Sequence, residues 1–330
     1  MRILILEPID LTSIHWLREQ GADVILGFDD EEWDSQADDI HAIIYRSMAI
    51  DESLMERLPA LRVIGKHGVG INTIDTRAAA ERGIVVTNTP GANANSVSEQ
   101  AVALLLSATR DLGICDASVR DNRFTDRLSM PLRNEVTGTK LGIIGAGAIG
   151  RRVAEIMSRG FDCAVGFFDP YVDPDRISYL TAMLFETPRD LCSWASNLVI
   201  AAPLTDETLG LVGLDDLRAL GSEAVVVVAS RGGIVSEGAL VEALREGLIR
   251  GAGVDSYETE PPAEDNPLFD LVNVVLVPHM GGHTKEARRR MAQSVVEQVW
   301  ALLNGGRAPV VGRTAWETDD SAIGSKPLQP

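Results

Sequence analysis

The sequence predicts an α/β protein built from two parallel-sheet domains. In residues 1–98, short runs rich in Val and Ile alternate with stretches of helical character, and the same alternation resumes near residue 139. Strands that alternate with helices are joined by crossovers and therefore pair in parallel. The chain has 330 residues and 45% hydrophobic content, which is enough for two domains with large cores.

The first block is predicted to contain five strands, RILIL, ADVILG, AIIYRS, RVIGKHG and IVVTN. The segments between them, SIHWLREQG, EEWDSQADDI, DESLMERLP and DTRAAAERG, are predicted to be helical. A long helix follows, and the capping-box spacing of Ser96 and Glu99 predicts that it begins at Ser96. Residues 113–137 are polar and irregular, which predicts an extended arm or a loop.

The second block is predicted to contain six strands, TKLGIIGAG, CAVGFFDP, NLVIAAP, AVVVVAS, RGAGVDSY and NVVLVPH. A last helix is expected at about 285–303, because Met291, Val295, Val299 and Leu302 form an apolar stripe at helical spacing. From Gly312 onward the chain is polar and is predicted to be a loose tail.

The formal charge of −18 and the pI near 4.7 argue against partners with a phosphate backbone and against anionic membrane surfaces. The N-terminal apolar run is too short for a signal peptide, and no stretch reaches the length of a membrane span. The three cysteines, Cys115, Cys163 and Cys192, show no disulfide or zinc spacing. These features predict a cytoplasmic protein with reduced thiols.

The motif GAGAIG, Gly145 to Gly150, follows the strand KLGII and opens a helix. There Gly145 allows a tight turn, Gly147 lets a pyrophosphate approach the backbone, and Gly150 lets the helix pack on the strand. Asp169 ends the next strand, where its carboxylate can accept hydrogen bonds from an adenosine ribose. Because an acid there repels a 2′-phosphate, NAD is predicted rather than NADP. A glycine-rich turn without a nucleotide is the alternative.

Four segments, LGIIGAGAIGRRVAE, APLTDETLGLVG, VVASRGGIVSEGALVEALREGLIRGAGVDSYETEPP and NVVLVPHMGGHTKEA, resemble successive signature blocks of the D-isomer-specific 2-hydroxyacid dehydrogenases. The similarity runs from about Ala42 to Ala287. It implies an NAD-dependent oxidoreductase with Arg231, Glu260 and His279 at the catalytic positions. It also implies an NAD site formed by Gly145, Gly147, Ala148, Ile149, Gly150, Asp169, Pro203, Ala229, Ser230, Asp255 and Gly281.

The position of the glycine motif predicts a discontinuous domain plan, because six βα units that start near residue 140 reach about residue 290. A flavodoxin-like substrate-binding domain is expected from residues 1–98 and 288–330, and a Rossmann NAD-binding domain from 99–287. The active site is expected in the cleft between the two domains. The segment at about 112–137 resembles the family's dimerisation element, so a homodimer is expected.

The residue types at the three catalytic positions suit reduction of a 2-keto acid. Proton delivery to the carbonyl oxygen needs an acid that titrates near neutral pH, which favours His279. Glu260 can orient the imidazole and stabilise its charged form, and Arg231 can bind the substrate carboxylate. Taken singly, Arg231 could be a surface residue, Glu260 part of the acidic run ETEPPAED, and His279 an inert turn.

His283 stands where the family more often has Ser or Thr, and it is predicted to support the site or to contact the distal end of the substrate. Thr284 can cap the last helix. No metal is predicted, because the zinc pattern HExxH is absent.

The segment GKHGVGINTID resembles the family's glycine loop, whose backbone N–H groups hold the substrate carboxylate, here at Gly68, Val69 and Gly70. Arg46 and Lys66 match basic positions of the phosphoglycerate dehydrogenase branch, although both could be solvated surface charges. With His67 they would form a local receptor for a second negative group. We therefore expect a substrate with an extra anion, such as a phospho-, sulfo- or carboxy-2-hydroxy acid.

Three alternatives remain at this stage. Formate dehydrogenases resemble the chain less, because they have Gln at the position of Glu260. Phosphite dehydrogenases keep the Arg, Glu and His of the triad. An NAD-sensing corepressor on the same scaffold also retains these residues, since fold does not fix function.

Overall fold

The structure is a computed structural model in which residues 1–29 and 33–311 are described. The predicted tail from Gly312 lies outside the described residues, as do the first two residues of the predicted helical segment EEWDSQADDI.

The chain divides into two compact units. The first contains residues 1–93 and the chain from Thr284 onward, and the second runs from Ala94 to His283. The boundaries thus fall at 93/94 and 283/284, a few residues before the positions 98/99 and 287/288 expected from the sequence.

Each unit contains a fully parallel sheet. The first sheet has the order β2-β1-β3-β4-β5, and the second has the order β12-β11-β10-β9-β6-β7-β8. The strands are β1 (Arg2–Ile5), β2 (Asp23–Leu26), β3 (Ile40–Tyr45), β4 (Val63–Lys66), β5 (Val85–Thr87), β6 (Lys140–Ile144), β7 (Ala164–Phe168), β8 (Met183–Leu184), β9 (Asn197–Ile200), β10 (Val225–Val228), β11 (Gly251–Val254) and β12 (Val274–Leu276). The first order is flavodoxin-like and the second is a Rossmann order, which confirms the predicted fold class.

Helices cover the faces of these sheets. Within the described residues they are α1 (Leu11–Glu19), α2 (Glu52–Glu56), α3 (Thr76–Glu81), α4 (Ala94–Thr109), α5 (Leu112–Arg120), α6 (Ala148–Phe161), α7 (Pro188–Trp194), α8 (Leu214–Leu220), α9 (Glu237–Arg245) and α10 (Lys285–Leu303). Short 3-10 helices occur at Trp33–Asp39, Phe124–Leu128, Pro174–Arg176, Ser178–Leu180 and Pro267–Asp270. None of the helices in this part of the chain has both the length and the apolar character needed to cross a membrane.

The strands read as continuous apolar runs because both faces of each sheet are covered. All four valines of β10 are buried, for example. In the first unit, α10 packs closely on β4, since a Cβ added at Gly65 would lie 2.5 Å from a methyl carbon of Val299. The predicted bounds of this last helix are confirmed.

Four local details of the structure go beyond these predictions or differ from them. The predicted helical segment EEWDSQADDI is helical at Trp33–Asp39, where it forms a 3-10 helix, and the edge strand β8 was not predicted. The helix predicted to begin at Ser96 begins at Ala94, and the Ser96 hydroxyl does not act as a cap but donates to the carbonyl of Gly281. The segment predicted as an irregular arm contains helix α5, which starts after Asp111 takes a left-handed conformation with φ 50°.

Candidate active site

The second unit brings the predicted cofactor and catalytic residues to one edge of its sheet. The carboxyl ends of parallel strands lie at the same edge, where ligands bind in open α/β sheets. The residues that follow β6, β7, β9, β10, β11 and β12 include, respectively, Gly145, Asp169, Pro203, Arg231, Asp255 and His279.

The glycine loop between β6 and α6 has the form that a dinucleotide requires. Gly145 has φ +96°, and a Cβ there would lie 2.7 Å from the backbone nitrogen of Ala202. A Cβ at Gly150 would lie 2.0 Å from the carbonyl oxygen of Gly145, so close packing excludes any side chain. At Gly147, by contrast, an added Cβ would meet nothing within 4 Å. This open backbone at the N-terminus of α6, which continues through Ala148 and Ile149, fits a pyrophosphate group.

Asp169 is held in a fixed orientation beside this loop. Its Oδ2 accepts a hydrogen bond of 2.8 Å from the N–H of Ala146, and its Oδ1 accepts one of 2.9 Å from the N–H of Tyr171. A carboxylate in this place can still accept hydrogen bonds from ribose hydroxyls, because each of its oxygens has a second lone pair. The residues present therefore fit the adenosine half of NAD.

His279 and Glu260 form a direct pair. The Nδ1 atom of His279 lies 2.9 Å from Oε1 and 2.7 Å from Oε2 of Glu260. A carboxylate only accepts hydrogen bonds, so Nδ1 carries the proton and Nε2 is left for a substrate. Burial alone would raise the pKa of Glu260, but the hydrogen bond and charge of His279, the N–H of Tyr257 and the charge of Arg231 together lower it.

Arg231 lies close enough to Glu260 for their charges to interact. Burial lowers the pKa of its guanidinium, and the negative charge of Glu260 acts in the opposite direction. One of its terminal nitrogens donates a hydrogen bond of 2.6 Å to the carbonyl of Ser230, which holds one side of the guanidinium against the backbone. The structure thus brings together the three residues predicted to be catalytic.

The segment that carries His279 is held by two buried side chains. Asp255 is 1% exposed and accepts hydrogen bonds from the N–H groups of Met280, at 2.6 Å, and Gly281, at 2.9 Å. Ser96 donates to the carbonyl of Gly281 at 2.5 Å. Burial raises the pKa of Asp255, while the two N–H groups and the charge of His279 partly oppose this rise. His279 itself has φ 51°, a conformation that non-glycine residues rarely adopt.

These contacts change the interpretation of two residues. Gly281 was predicted to contact the cofactor, but it is buried and both its N–H and its carbonyl are bonded within the protein. A Cβ there would lie 2.8 Å from Oδ2 of Asp255, so the glycine is required by this close approach. Ser96 was missed as part of the site, because only the fold brings it next to Gly281.

The other predicted cofactor residues lie on neighbouring turns. Ala229 and Ser230 are buried at the end of β10, and the Ser230 hydroxyl donates to the carbonyl of Ala202 at 2.9 Å. Pro203 is exposed, and its carbonyl accepts a hydrogen bond of 2.7 Å from Thr208. His283 is exposed, and its ring forms no hydrogen bond or ion pair with another described residue. Thr284 caps α10 by accepting from the N–H of Ala287, as predicted.

The first unit contains the predicted substrate loop. Gly68 has φ +142°, and its N–H donates to Thr89 at 3.1 Å. Within the described residues, the N–H groups of Val69 and Gly70 have no hydrogen-bond partner, so they can receive an anion. Of the three N–H groups predicted to hold a carboxylate, that of Gly68 is therefore already hydrogen-bonded within the protein.

The predicted receptor made of Arg46, Lys66 and His67 is not formed as expected. Lys66 is 8% exposed; its ammonium donates to the carbonyl of Arg46 and lies 4.7 Å from the centre of the Tyr45 ring. His67 is 5% exposed, and burial lowers its pKa to about 4, so its imidazole is neutral at pH 7. Arg46 is half-buried and donates to the carbonyl of Pro8 at 3.2 Å.

The backbone that carries Arg46 is fixed by Glu7. This carboxylate accepts hydrogen bonds from the N–H groups of Arg46 at 2.6 Å, Ser47 at 2.6 Å and Met48 at 3.1 Å, and from the Ser47 hydroxyl. Burial would raise the pKa of Glu7, but these hydrogen bonds outweigh it and lower the pKa.

The described residues contain no cluster of three or more His, Cys, Asp or Glu side chains arranged to hold a metal ion.

Comparison with known proteins shows the family. The family model described as "D-isomer specific 2-hydroxyacid dehydrogenase, NAD binding domain" matches residues 102–281. The chain therefore belongs to the D-isomer-specific 2-hydroxyacid dehydrogenase family, and it carries the NAD-binding domain of that family.

Relatives differ in the substrates that they are named for. The chain is 35% identical over 308 residues to D-3-phosphoglycerate dehydrogenase of Archaeoglobus fulgidus, covering 92% of this chain but only 58% of that protein. It is 37% identical over 262 residues to glyoxylate reductase of Korarchaeum cryptofilum, covering 79% and 78% of the two chains. The crystal structure of NADPH-dependent glyoxylate/hydroxypyruvate reductase from Sinorhizobium meliloti, in complex with NADP and malonate, matches with a TM-score of 0.80 and 29% identity, covering 94% and 95%.

The pairing of Glu260 with His279 predicts that the stability of the fold depends on pH. Because the folded state lowers the pKa of Glu260, its carboxylate stabilises the fold above its ordinary pKa of 4.5, and this contribution is lost as the pH falls through the lowered value. We expect Glu260→Gln to have a lower melting temperature than the wild type at pH 6, and this difference to shrink at pH 3.5. Thermal unfolding at both pH values checks this expectation. A difference that is constant or grows toward acid would contradict it.

Proposed function

We propose that the protein is an NAD-dependent dehydrogenase that interconverts a small 2-hydroxy acid and its 2-keto acid. The observation that carries the proposal is the His279–Glu260 pair, with Arg231 nearby, at the carboxyl edge of a Rossmann sheet. Asp169, with its two fixed oxygens, supports NAD over NADP, since a 2′-phosphate would meet a negative charge there.

The chain's own residues can perform the acid-base part of this reaction. Arg231 binds the carboxylate of the acid through its guanidinium and polarises the neighbouring carbonyl. In the direction of reduction, protonated His279 donates a proton from Nε2 to the carbonyl oxygen; in the direction of oxidation, the neutral ring removes it. Glu260 holds the ring through Nδ1 and stabilises its charged form. The chemistry that NAD supplies when bound is hydride transfer to or from the carbon that carries this oxygen.

A substrate panel tests the proposal. Purified protein is mixed with NADH or NADPH and a series of 2-keto acids, and with NAD and phosphite or formate, while absorbance at the nicotinamide band is followed. Turnover of about 1 per second or more with a 2-keto acid and NADH is expected, since this is the low end of ordinary kcat values. Tight NADH binding without turnover of any compound would contradict the proposal and would indicate a coenzyme-sensing protein.

We further propose that the substrate carries a second negative group, which Arg46 and Arg288 of the first unit bind. Burial lowers the pKa of Arg46, and the positive charge of Arg288 lowers it further, so the two guanidinium groups lie close enough to repel each other. The Arg288 side chain forms no hydrogen bond or ion pair with another described residue. A bound anion would relieve this repulsion in a protein whose formal charge is −18.

Replacing these arginines should separate substrates by charge. We expect Arg46→Gln and Arg288→Gln each to raise KM about tenfold for phospho- or carboxy-substituted 2-keto acids, the usual effect of losing a hydrogen bond to a charged group. KM for pyruvate and glyoxylate should change less than twofold. Arg289→Gln, an exposed neighbour on the same helix, is the matched control. Equal increases of KM for both substrate groups would contradict the proposal.

We also propose that the protein forms a homodimer through the segment 112–137. Its apolar side chains are unusually exposed, with Leu128 at 84% and Leu132 at 93%. Leu112, Val119 and Phe124 are more than half exposed as well. Large exposed apolar patches are rare in monomeric proteins, so these exposed side chains along one segment favour a surface that a partner covers.

The double variant Phe124→Glu/Leu128→Glu should weaken this association. Light scattering after size exclusion is expected to give twice the chain mass of 35.5 kDa for the wild type and the single chain mass for the variant. Val272→Glu, a 79% exposed position outside the segment, is the control and should leave the mass unchanged. A wild type that gives the single chain mass in this measurement would contradict the proposed dimer.

A further inference from the structure

Tyr257 is a buried residue that contacts the segments of all three catalytic residues. It lies three positions after the last residue of β11, and it is 9% exposed. Its ring belongs to the apolar core of the second unit. The reaction outlined above gives this side chain no role, although it has a phenolic hydroxyl inside a protein core.

The backbone of Tyr257 connects two catalytic residues. Its N–H donates a hydrogen bond of 3.1 Å to Oε1 of Glu260, the same oxygen that faces Nδ1 of His279. Its carbonyl carbon lies against Gly232, where an added Cβ would be only 2.0 Å away. Gly232 is the residue directly after Arg231, so Tyr257 also limits where the Arg231 backbone can lie.

The hydroxyl of Tyr257 is linked to His279, the third catalytic residue, through the carbonyl of Val277. It donates a hydrogen bond of 3.2 Å to the carbonyl oxygen of Val277. The same carbonyl accepts a hydrogen bond of 3.1 Å from the N–H of His279. This tight turn is the one in which His279 takes φ 51°. A residue persists in such a conformation only where its surroundings hold it there.

We propose that Tyr257 is a positioning residue that sets the relative placement of Glu260 and His279. Its N–H orients the carboxylate, and its hydroxyl anchors the turn that presents the imidazole to that carboxylate. The hydroxyl acts through Val277 and touches neither substrate nor cofactor in this role. The expected effect on kcat rests on the proposed function. The expected effect on the placement of Glu260 and His279 does not.

Tyr257→Phe isolates the hydroxyl, because it keeps the ring and the backbone N–H. The Val277 carbonyl keeps the N–H of His279 as a partner, so the variant is not left with an unsatisfied buried group. We expect kcat for the best 2-keto acid to fall by about tenfold, a moderate case of the loss that small misplacement of a catalytic group causes. KM for the keto acid and Kd for NADH should change less than twofold. Tyr179→Phe is the control, since it removes a hydroxyl bonded to Glu155 on the surface of the same unit.

A second measurement does not depend on turnover. Proton NMR should show the Nδ1 proton shared by His279 and Glu260 at low field, and His279→Asn identifies this signal by removing it. In Tyr257→Phe the signal is expected to shift upfield or broaden, while Tyr179→Phe leaves it in place. A role confined to core packing would lower the melting temperature without moving this signal.

The outcomes separate the two proposals. A wild type that turns over no panel compound defeats the proposed function, and the NMR signal then still decides the positioning role. If the wild type is active, and Tyr257→Phe retains kcat within twofold with an unmoved Nδ1 signal, the positioning role is overturned. A fall in kcat together with a displaced signal supports it.

Discussion

Replacing His279 with asparagine is expected to lower kcat by about a thousandfold, within the range usual for loss of a general acid. Asparagine is chosen because it tolerates positive φ better than most residues. It can therefore keep the turn at φ 51° while removing the titrating ring. Kd for NADH, measured by quenching of protein fluorescence, should stay within about threefold, since the glycine loop and Asp169 are unchanged.

His283→Asn is the matched control for this variant. It removes the other imidazole of the segment PHMGGHT, which is exposed and four residues further on. We expect its kcat to stay within about threefold of the wild type. A result in which His283→Asn is the inactive variant and His279→Asn the active one would require a different acid.

The second large effect is expected for Arg231→Lys. Lysine preserves the positive charge but lacks the planar fork that binds a carboxylate with two hydrogen bonds. We expect kcat/KM for the 2-keto acid to fall by about a hundredfold, comparable to the loss of one donor that stabilises developing charge. Steady-state kinetics with the best substrate of the panel measures this effect.

Arg218→Lys provides a comparison outside the site. Arg218 is paired with Asp215 at 2.7 Å, and both side chains are exposed on the surface of α8, so this variant should retain kcat/KM within about twofold. Should Arg231→Lys be as active as Arg218→Lys, the guanidinium would not bind the substrate as proposed.

The sequence predicts best those parts of the site whose residues lie close together in the chain and follow a recognisable motif. The glycines at 145, 147 and 150 and the acid at Asp169 belong to a strand, a turn and a helix that are contiguous in the chain. The fold class follows from the same alternation of apolar runs and helices. Residues that follow different strands, such as Arg231 and His279, were assigned to one site only through the resemblance to the family.

The parts that could not be predicted depend on contacts between distant residues. Ser96 meets Gly281 across 185 positions, and the capping-box pattern around it suggested another role. Lys66 was expected to bind a second negative group of the substrate, but strand pairing places it opposite Tyr45, over whose ring its ammonium lies. Burial of His67 likewise depends on α10, where its Nε2 lies 3.1 Å from the carbonyl oxygen of Arg288.

The Glu7 carboxylate has a practical consequence for redesign. It holds the turn at residues 46–48 through backbone N–H groups, which every residue except proline provides. The side chains of Arg46 and Met48 can therefore be exchanged while the shape of the turn is retained. A combinatorial library at position 46 would therefore test the proposed contact with the second anion of the substrate while the backbone of the turn is retained.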